Sequence, residues 1–310
     1  MTDKYGRYVD DIRISVTKKC NLKCIYCHHE GQWQNNFDEN DEMTPDEIYK
    51  IVKIGTKFGI KKVKLTGGEP LIREDIYEII DKISRLNDIE DISLVTNGIL
   101  LKDSVKKLSE SGLKRVNVSL DCLDPSLYKN ITKSNNNLIP NDIIEGIKYA
   151  IAQGLAPLKL NMVMLKGVNE TEIEKMIELS SDLGATLQLI ELVPFRKREG
   201  FVKFHVDLSN IEDKIKKRAV KTKVRNLQRR MIYFLENGAN IEFVKPYHNP
   251  EFCANCHRIR ITSDGRLKPC LRTNSNLINI LGPIREGKSD KELEKIFNKA
   301  IEIRKPYYLE

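Results

Sequence analysis

Residues 20–27, CNLKCIYC, place Cys20, Cys24 and Cys27 in a C-x3-C-x2-C run directly after the short alternating segment DIRISV. Three thiolates on one tight loop can hold three irons of a four-iron, four-sulfur (4Fe-4S) cluster, because Cys sulfur is the usual protein ligand there. The fourth iron then has no ligand from this loop, and an open iron can take a small molecule. Zinc is the competing reading, although structural zinc sites usually pair C-x2-C modules and close at four ligands. Seven cysteines, odd in number and unevenly spaced, argue against a disulfide framework and for metal chemistry in a reducing cytosol.

A chain of 310 residues can bury a large core, enough for one big domain or one and a half. No stretch approaches a membrane span, and MTDKYGRYVD is neither a signal nor a transit peptide. Lys and Arg number 52 against 44 Asp and Glu, a net charge of +8. That excess suggests an anionic partner without naming it.

Apolar periodicity predicts strands over 12–16, 62–66, 91–96, 115–120, 157–164 and 186–192. Amphipathic helical stretches at 73–87, 102–111, 142–153 and 170–183 fall between them, and Thr44–Glu47 (TPDE) starts another. Alternating units of this kind imply right-handed crossovers and a parallel sheet. Six units are too few to close an eight-fold barrel, so the expected fold is α/β, an open, partial (β/α)6 TIM-type barrel over residues 1–200. A boundary is expected near 195–205, followed by a smaller C-terminal α+β domain over 201–310. There RRMIYFLE and NIEFVK read as antiparallel strands around the turn ENGAN. Arg196-Lys197-Arg198 reads as a solvated charge run, and SNNNLIPN (134–141) as a polar loop.

The polar segments Thr66-Gly67-Gly68-Glu69-Pro70, Thr96-Asn97-Gly98, Ser119-Leu120-Asp121 and Glu191 all fall at or just beyond strand ends. In (β/α) barrels that rim carries the chemistry. Alternate residues of a strand share a face, so Arg13, Ser15 and Thr17 oppose Ile12, Ile14 and Val16; Lys64 pairs with Thr66, and Lys159 with Asn161. Cations on an inward strand face are costly unless something anionic meets them. Strands facing solvent on that side are the alternative.

A second triad, Cys253, Cys256 and Cys270, lies in CANCHRIRITSDGRLKPCL. SDG is a good hairpin turn that folds Cys270 back toward the C-x2-C pair, and Arg258 and Arg260 share one strand face. A second cluster with an open iron and a zinc knuckle completed by His257 or His248 are both compatible with this spacing. Cys122, just past a strand end, is a candidate fourth ligand or a packing cysteine.

The loop CNLKCIYC, with aromatic Tyr26 between its last two cysteines, resembles the signature of the radical S-adenosylmethionine (SAM) superfamily. Paired with CANCHRIRITSDGRLKPCL, VKLTGGEPLIRED, LVTNG and VNVSLDCLD, it resembles the GTP 3′,8-cyclase family, which opens molybdenum cofactor biosynthesis. That resemblance covers most of the chain. It implies two 4Fe-4S clusters, on Cys20, Cys24 and Cys27 and on Cys253, Cys256 and Cys270, with SAM chelated by the first. It implies SAM contacts from Tyr26 (backbone), Gly68, Ser119 and Val193, and GTP contacts from Arg13, Lys64, Thr96, Lys159, Arg258, Ile259 and Arg260. Catalytic weight falls on the first triad with Arg258 and Arg260. Reductive SAM cleavage would give a 5′-deoxyadenosyl radical that takes the 3′ hydrogen of GTP, after which C3′ attacks C8. The second cluster would bind the guanine edge.

Further implied partners are an electron donor and the next molybdopterin-pathway enzyme, in the cytoplasm, without nucleic acid or membrane; a homodimer is left open. The chain departs from the family in three places: it ends without a Gly-Gly tail, Val193 stands where Met is typical, and Lys64 where Arg is common. Without that tail, Arg304 or Lys305 is a candidate to fill its place. Two rival readings stand beside it. One is another twin-cluster radical SAM enzyme acting on a peptide or small metabolite; the other is a zinc-stabilised nucleic-acid-binding protein.

Overall fold

Alternation of apolar and polar residues dictates a sheet with one face in the core and one turned to a polar interior. In the computed structural model, which describes residues 1–32, 42–134, 139–193 and 203–306, that sheet has twelve strands. They are β1 (Asp11–Ser15), β2 (Lys62–Thr66), β3 (Asp91–Thr96), β4 (Arg115–Ser119), β5 (Lys159–Met164), β6 (Thr186–Glu191), β7 (Ala219–Val224), β8 (Met231–Leu235), β9 (Asn240–Val244), β10 (Arg258–Ile261), β11 (Arg266–Lys268) and β12 (Ile278–Asn279). The spatial order is β12-β11-β10-β1-β2-β3-β4-β5-β6-β9-β8-β7.

β1 to β6 run parallel in sequence order, as strand–helix units must when crossovers are right-handed. The helices are α1 (Pro45–Thr56), α2 (Ile76–Ser84), α3 (Leu101–Glu110), α4 (Pro125–Thr132), α5 (Pro140–Ala152) and α6 (Ile173–Asp182). α1 begins on the expected capping box: Glu47 N donates to Thr44 Oγ1 and Thr44 N to Glu47 Oε2. One outer strand face packs on these helices. Ile12, Ile14, Leu94, Val116, Val118, Leu160, Met162, Leu187 and Leu189 are all fully buried.

The second half of the chain joins this sheet at both ends. β9 adds parallel to β6, and β10 adds parallel to β1, so eight strands run parallel. The β8–β9 hairpin is antiparallel, as its turn residues predict, and β7 extends it. The β10–β11 hairpin turns on Ser263-Asp264-Gly265; Gly265 has φ +65, where an added Cβ would lie 2.4 Å from Leu281 Cβ. The helices after β6 are α7 (Ser209–Arg218), α8 (Pro250–Ala254), α9 (Leu281–Arg285) and α10 (Asp290–Glu302). α10 returns to the first helix, where Phe297 stacks on Phe58 with ring centroids 5.2 Å apart. The charge run at 196–198, the expected boundary at residue 200 and residues 135–138 of the 134–141 segment lie outside the described residues, while Pro140 and Asn141 already belong to α5.

Candidate active site

The other sheet face surrounds a cavity of about 510 Å³. Strand register builds its wall. Arg13 is opposite Arg260 on one side and Lys64 on the other, so three cations from three adjacent strands stand in one row. Their apolar neighbours Ile12 and Ile259 are fully buried on the opposite face. The cation-bearing faces therefore meet an enclosed interior and not open solvent, because alternation leaves them no other side.

Each triad sits at this cavity. All six of its cysteines line the wall, and so do Tyr26, Gly68, Ser119, Val193, Arg13, Lys64, Thr96, Lys159, Arg258 and Arg260. Ile259 does not line the cavity: its side chain lies in the apolar core, because it alternates with the two arginines. Cys122 is fully buried, with Sγ 3.8 Å from Asp124 O, and lines no part of the cavity. Lys305 reaches the wall, whereas Arg304 is buried against the carbonyls of Arg7, Tyr8 and Cys256.

The first cysteine loop is tied down from three directions. Lys23 N and Ile25 N donate to Thr132 O and Ile131 O at the end of α4. Periodicity does not reveal that helix, which is only eight residues long, although Asp124 caps it and Pro125 opens it. Tyr26 Oη donates to Asp121 Oδ2 at 2.6 Å. The GGEP turn closes the third side, with Gly68 N donating to Thr17 O and Glu69 N to Lys19 O, both at 2.8 Å. A Cβ on Gly68 would lie 2.0 Å from Lys19 O, so only glycine allows this approach.

Burial raises thiols at both ends of the cavity, Cys270 included, and Cys256 is the exception. Burial, then Asp121, Cys27 and Cys20, pushes the Cys24 thiol far up. Burial likewise raises Asp121 to about 6 and Glu69 to about 7. At the second triad, burial is outweighed by Arg304, a backbone N–H, Arg258 and Arg260, and the Cys256 thiol is lowered. Gln228 Nε2 also donates to Cys256 Sγ at 3.6 Å.

The cations are not waiting empty-handed, as the strand faces alone suggested. Arg258 makes a two-pronged pair with Asp11, at 2.6 and 2.9 Å. Glu30 pairs with both Arg13 and Arg260, and Lys159 pairs with Glu242. Burial opposes ionisation of Glu30, yet Arg13 and Arg260 hold its carboxyl down at about 2. Lys64 differs: among the described residues no carboxylate lies within ion-pair distance, and Asn117 Oδ1 is its 3.5 Å partner. Burial, then Arg115 and Arg258, drives its pKa well down. The hydroxyl of Thr96 donates to Glu69 Oε1 at 2.8 Å, which makes Thr96 a brace of the GGEP turn.

Asp11, Glu30, Glu242, Arg225 and Arg230 were missed from the sequence. Asp11 was findable, since it shares the face of Arg13; the others carry no local signal.

The donor set fits a 4Fe-4S cluster on the first loop. Cys20 and Cys27 stand near enough to raise the Cys24 thiol, beside a glycine cradle at a cavity large enough for a ligand. Among the described residues no three His, Cys, Asp or Glu side chains converge on the position of one ion. A cluster needs no such convergence, because each thiol binds its own iron.

Residues 14–180 match the Radical SAM superfamily, and residues 185–310 match Molybdenum Cofactor Synthesis C. The "Probable GTP 3′,8-cyclase" of Methanocaldococcus jannaschii is 46% identical over 308 residues, covering 99% of both chains. That of Pyrococcus horikoshii is 47% identical over 314 residues, covering 99% of this chain and 98% of its own. In fold, the chain is similar to Streptococcus suis SuiB bound to S-adenosylmethionine, with a TM-score of 0.67 at 20% identity. The match covers 89% of this chain and 64% of SuiB, so the chain spans less than two thirds of that protein. It is also similar to anSMEcpe with bound AdoMet, with a TM-score of 0.61 at 17% identity, covering 87% and 77%. The chain belongs to the radical SAM superfamily and, within it, to the GTP 3′,8-cyclase family.

Proposed function

We infer that the chain is a radical SAM lyase that converts GTP to (8S)-3′,8-cyclo-7,8-dihydroguanosine 5′-triphosphate, the first step of molybdenum cofactor biosynthesis. The observation that carries this reading is the shared cavity, which brings both cysteine triads and the Arg260–Arg13–Lys64 row to one enclosed space. A zinc-stabilised nucleic-acid binder has no use for such an interior.

When bound, the cluster on Cys20, Cys24 and Cys27 and its SAM supply hydrogen-abstracting radical chemistry. The chain's own residues position and shield. Gly68 and the Tyr26 backbone let a ligand approach the cysteine loop closely, with Ser119 and Val193 completing that corner. Arg13, Lys64, Lys159, Arg258 and Arg260 hold the triphosphate and ribose, since guanidinium and ammonium groups match phosphate oxygens. Walls of buried apolar side chains behind them exclude water.

Cys253, Cys256 and Cys270 would hold a second 4Fe-4S cluster that would bind the guanine, in a C-terminal unit over 201–310 that follows the barrel unit of 1–200. The protein works in the cytoplasm, draws electrons from a low-potential donor and hands its product to the next pathway enzyme; a homodimer is compatible with this. Among the described residues no helix is long and apolar enough to cross a membrane.

The test is anaerobic incubation of the reconstituted, reduced protein with SAM and GTP. Formation of the cyclic nucleotide is expected. SAM cleavage with no GTP-derived cyclic product would overturn the reading in favour of a twin-cluster enzyme acting on a peptide or small metabolite.

A further inference from the structure

Arg225 and Arg230 flank the turn between β7 and β8, and both guanidiniums line the cavity. Both reach one carboxylate oxygen: their Nη1 atoms donate to Glu242 Oε1 at 2.8 and 3.3 Å. The other oxygen, Oε2, pairs with Lys159 and accepts Gln188 Nε2 at 2.7 Å. Glu242 is fully buried on β9 and stays behind the cavity wall. Three cations against one carboxylate leave a surplus of two positive charges facing the interior.

The turn is itself held rigidly. Arg225 N donates to Arg230 O at 2.9 Å, and Gln228 N donates to Asn255 O at 2.8 Å, beside the second triad. Gln228 Oε1 accepts Arg230 Nε at 3.0 Å, so that guanidinium is gripped from two sides. A buried cationic surplus is unfavourable until a polyanion enters. A guanidinium fork fixed in advance loses little freedom when phosphate oxygens arrive.

We propose that Arg225 and Arg230 are further triphosphate-binding residues, and that Glu242 is the positioning residue that holds them and Lys159 toward the phosphates. This rests on GTP being the substrate. It adds the β7–β8 turn to the cations that distinguish a triphosphate from a nucleoside.

The experiment measures equilibrium binding of GTP, GMP and guanosine to the anaerobic, cluster-loaded protein. Arg225→Gln and Arg230→Gln are each expected to weaken GTP about 10-fold or more, and to leave guanosine within about 2-fold. Glu242→Gln separates alignment from bulk charge. Removing a negative charge would by Coulomb attraction tighten GTP binding, whereas loss of positioning weakens it at unchanged guanosine affinity. An unchanged GTP-to-guanosine ratio in the arginine variants, or tighter GTP binding in Glu242→Gln, overturns the proposal. A wild-type protein that binds guanosine as tightly as GTP overturns the substrate reading and the proposal with it. Should Arg230→Gln fail to fold, Arg225→Gln, whose side chain is more exposed, decides the matter.

Discussion

Arg13 and Arg260 stand opposite each other in register on adjacent parallel strands, β1 and β10, and Glu30 ion-pairs with both. Two guanidiniums so placed repel unless an anion lies between them. Glu30 comes from the chain just past the first cysteine loop, so one carboxylate joins that loop, the first strand and the second cysteine motif.

Glu30→Gln should therefore lower unfolding free energy by about 3 kcal/mol, in the range for breaking a buried ion pair by removing one partner. Denaturant titration reads this directly. A change below about 0.5 kcal/mol would mean that water replaces the carboxylate at no loss.

Arg258→Ala should reduce cyclisation about 100-fold or more while SAM cleavage and iron content persist, because Arg258 sits beside Cys256 of the second triad and its side chain bonds Asp11, not the first cysteine loop. Arg258→Lys keeps the charge but loses the two-pronged pair with Asp11, and should recover little. Loss of iron from both triads in Arg258→Ala would assign the residue to architecture.

Cys20→Ala should abolish SAM cleavage, whereas Cys270→Ala should keep it and lose the nucleotide reaction. Anaerobic iron analysis should give about eight irons in the wild type and about four in Cys270→Ala. Equal iron in the two proteins would remove the second cluster from the proposal.

Gly68→Ala forces a Cβ to 2.0 Å from the Lys19 carbonyl oxygen. Backbone must yield there, and Lys19 precedes the first cysteine. Weaker SAM binding by about 10-fold, with reduced iron at the first triad, is expected from calorimetry and metal analysis. Unchanged SAM affinity would show that the ligand does not approach this turn.

Burial raises Glu69 from 4.5 to about 7 despite three hydrogen bonds to its carboxyl. Its folded state then binds a proton that the unfolded chain releases near pH 4.5. Stability from this group is whole below that pH, declines as pH rises to about 7, and is flat beyond. The total change is about 3 kcal/mol. Glu69→Gln should gain on the wild type by that amount between pH 4.5 and 8 in metal-free protein. Parallel pH profiles for the two proteins would assign the carboxyl an ordinary pKa.

The strand–helix period, both cysteine triads and the face shared by Arg13, Lys64 and Lys159 were legible from local rules alone. Alternation along a strand is a property of neighbouring residues, and so it survives without the fold. Arg258 and Arg260 obey the same rule, but the row that Arg260 forms with Arg13 and Lys64 needs strand register. The short helix α4 was not legible: eight residues offer too little periodicity, and its work of pinning the cysteine loop involves residues more than a hundred positions away.

The sequence by itself determined the chemistry on offer: two sets of three thiols, a glycine turn and cations that share a strand face with polar residues. Tertiary structure alone decided that these share one cavity and that carboxylates already hold most of the cations. Asp11, Glu30 and Glu242 meet Arg258, Arg13 with Arg260, and Lys159 across long sequence separations. Ion pairing depends on distance in space, which strand register sets, and register between β1 and β10 exists only once the chain has closed on itself.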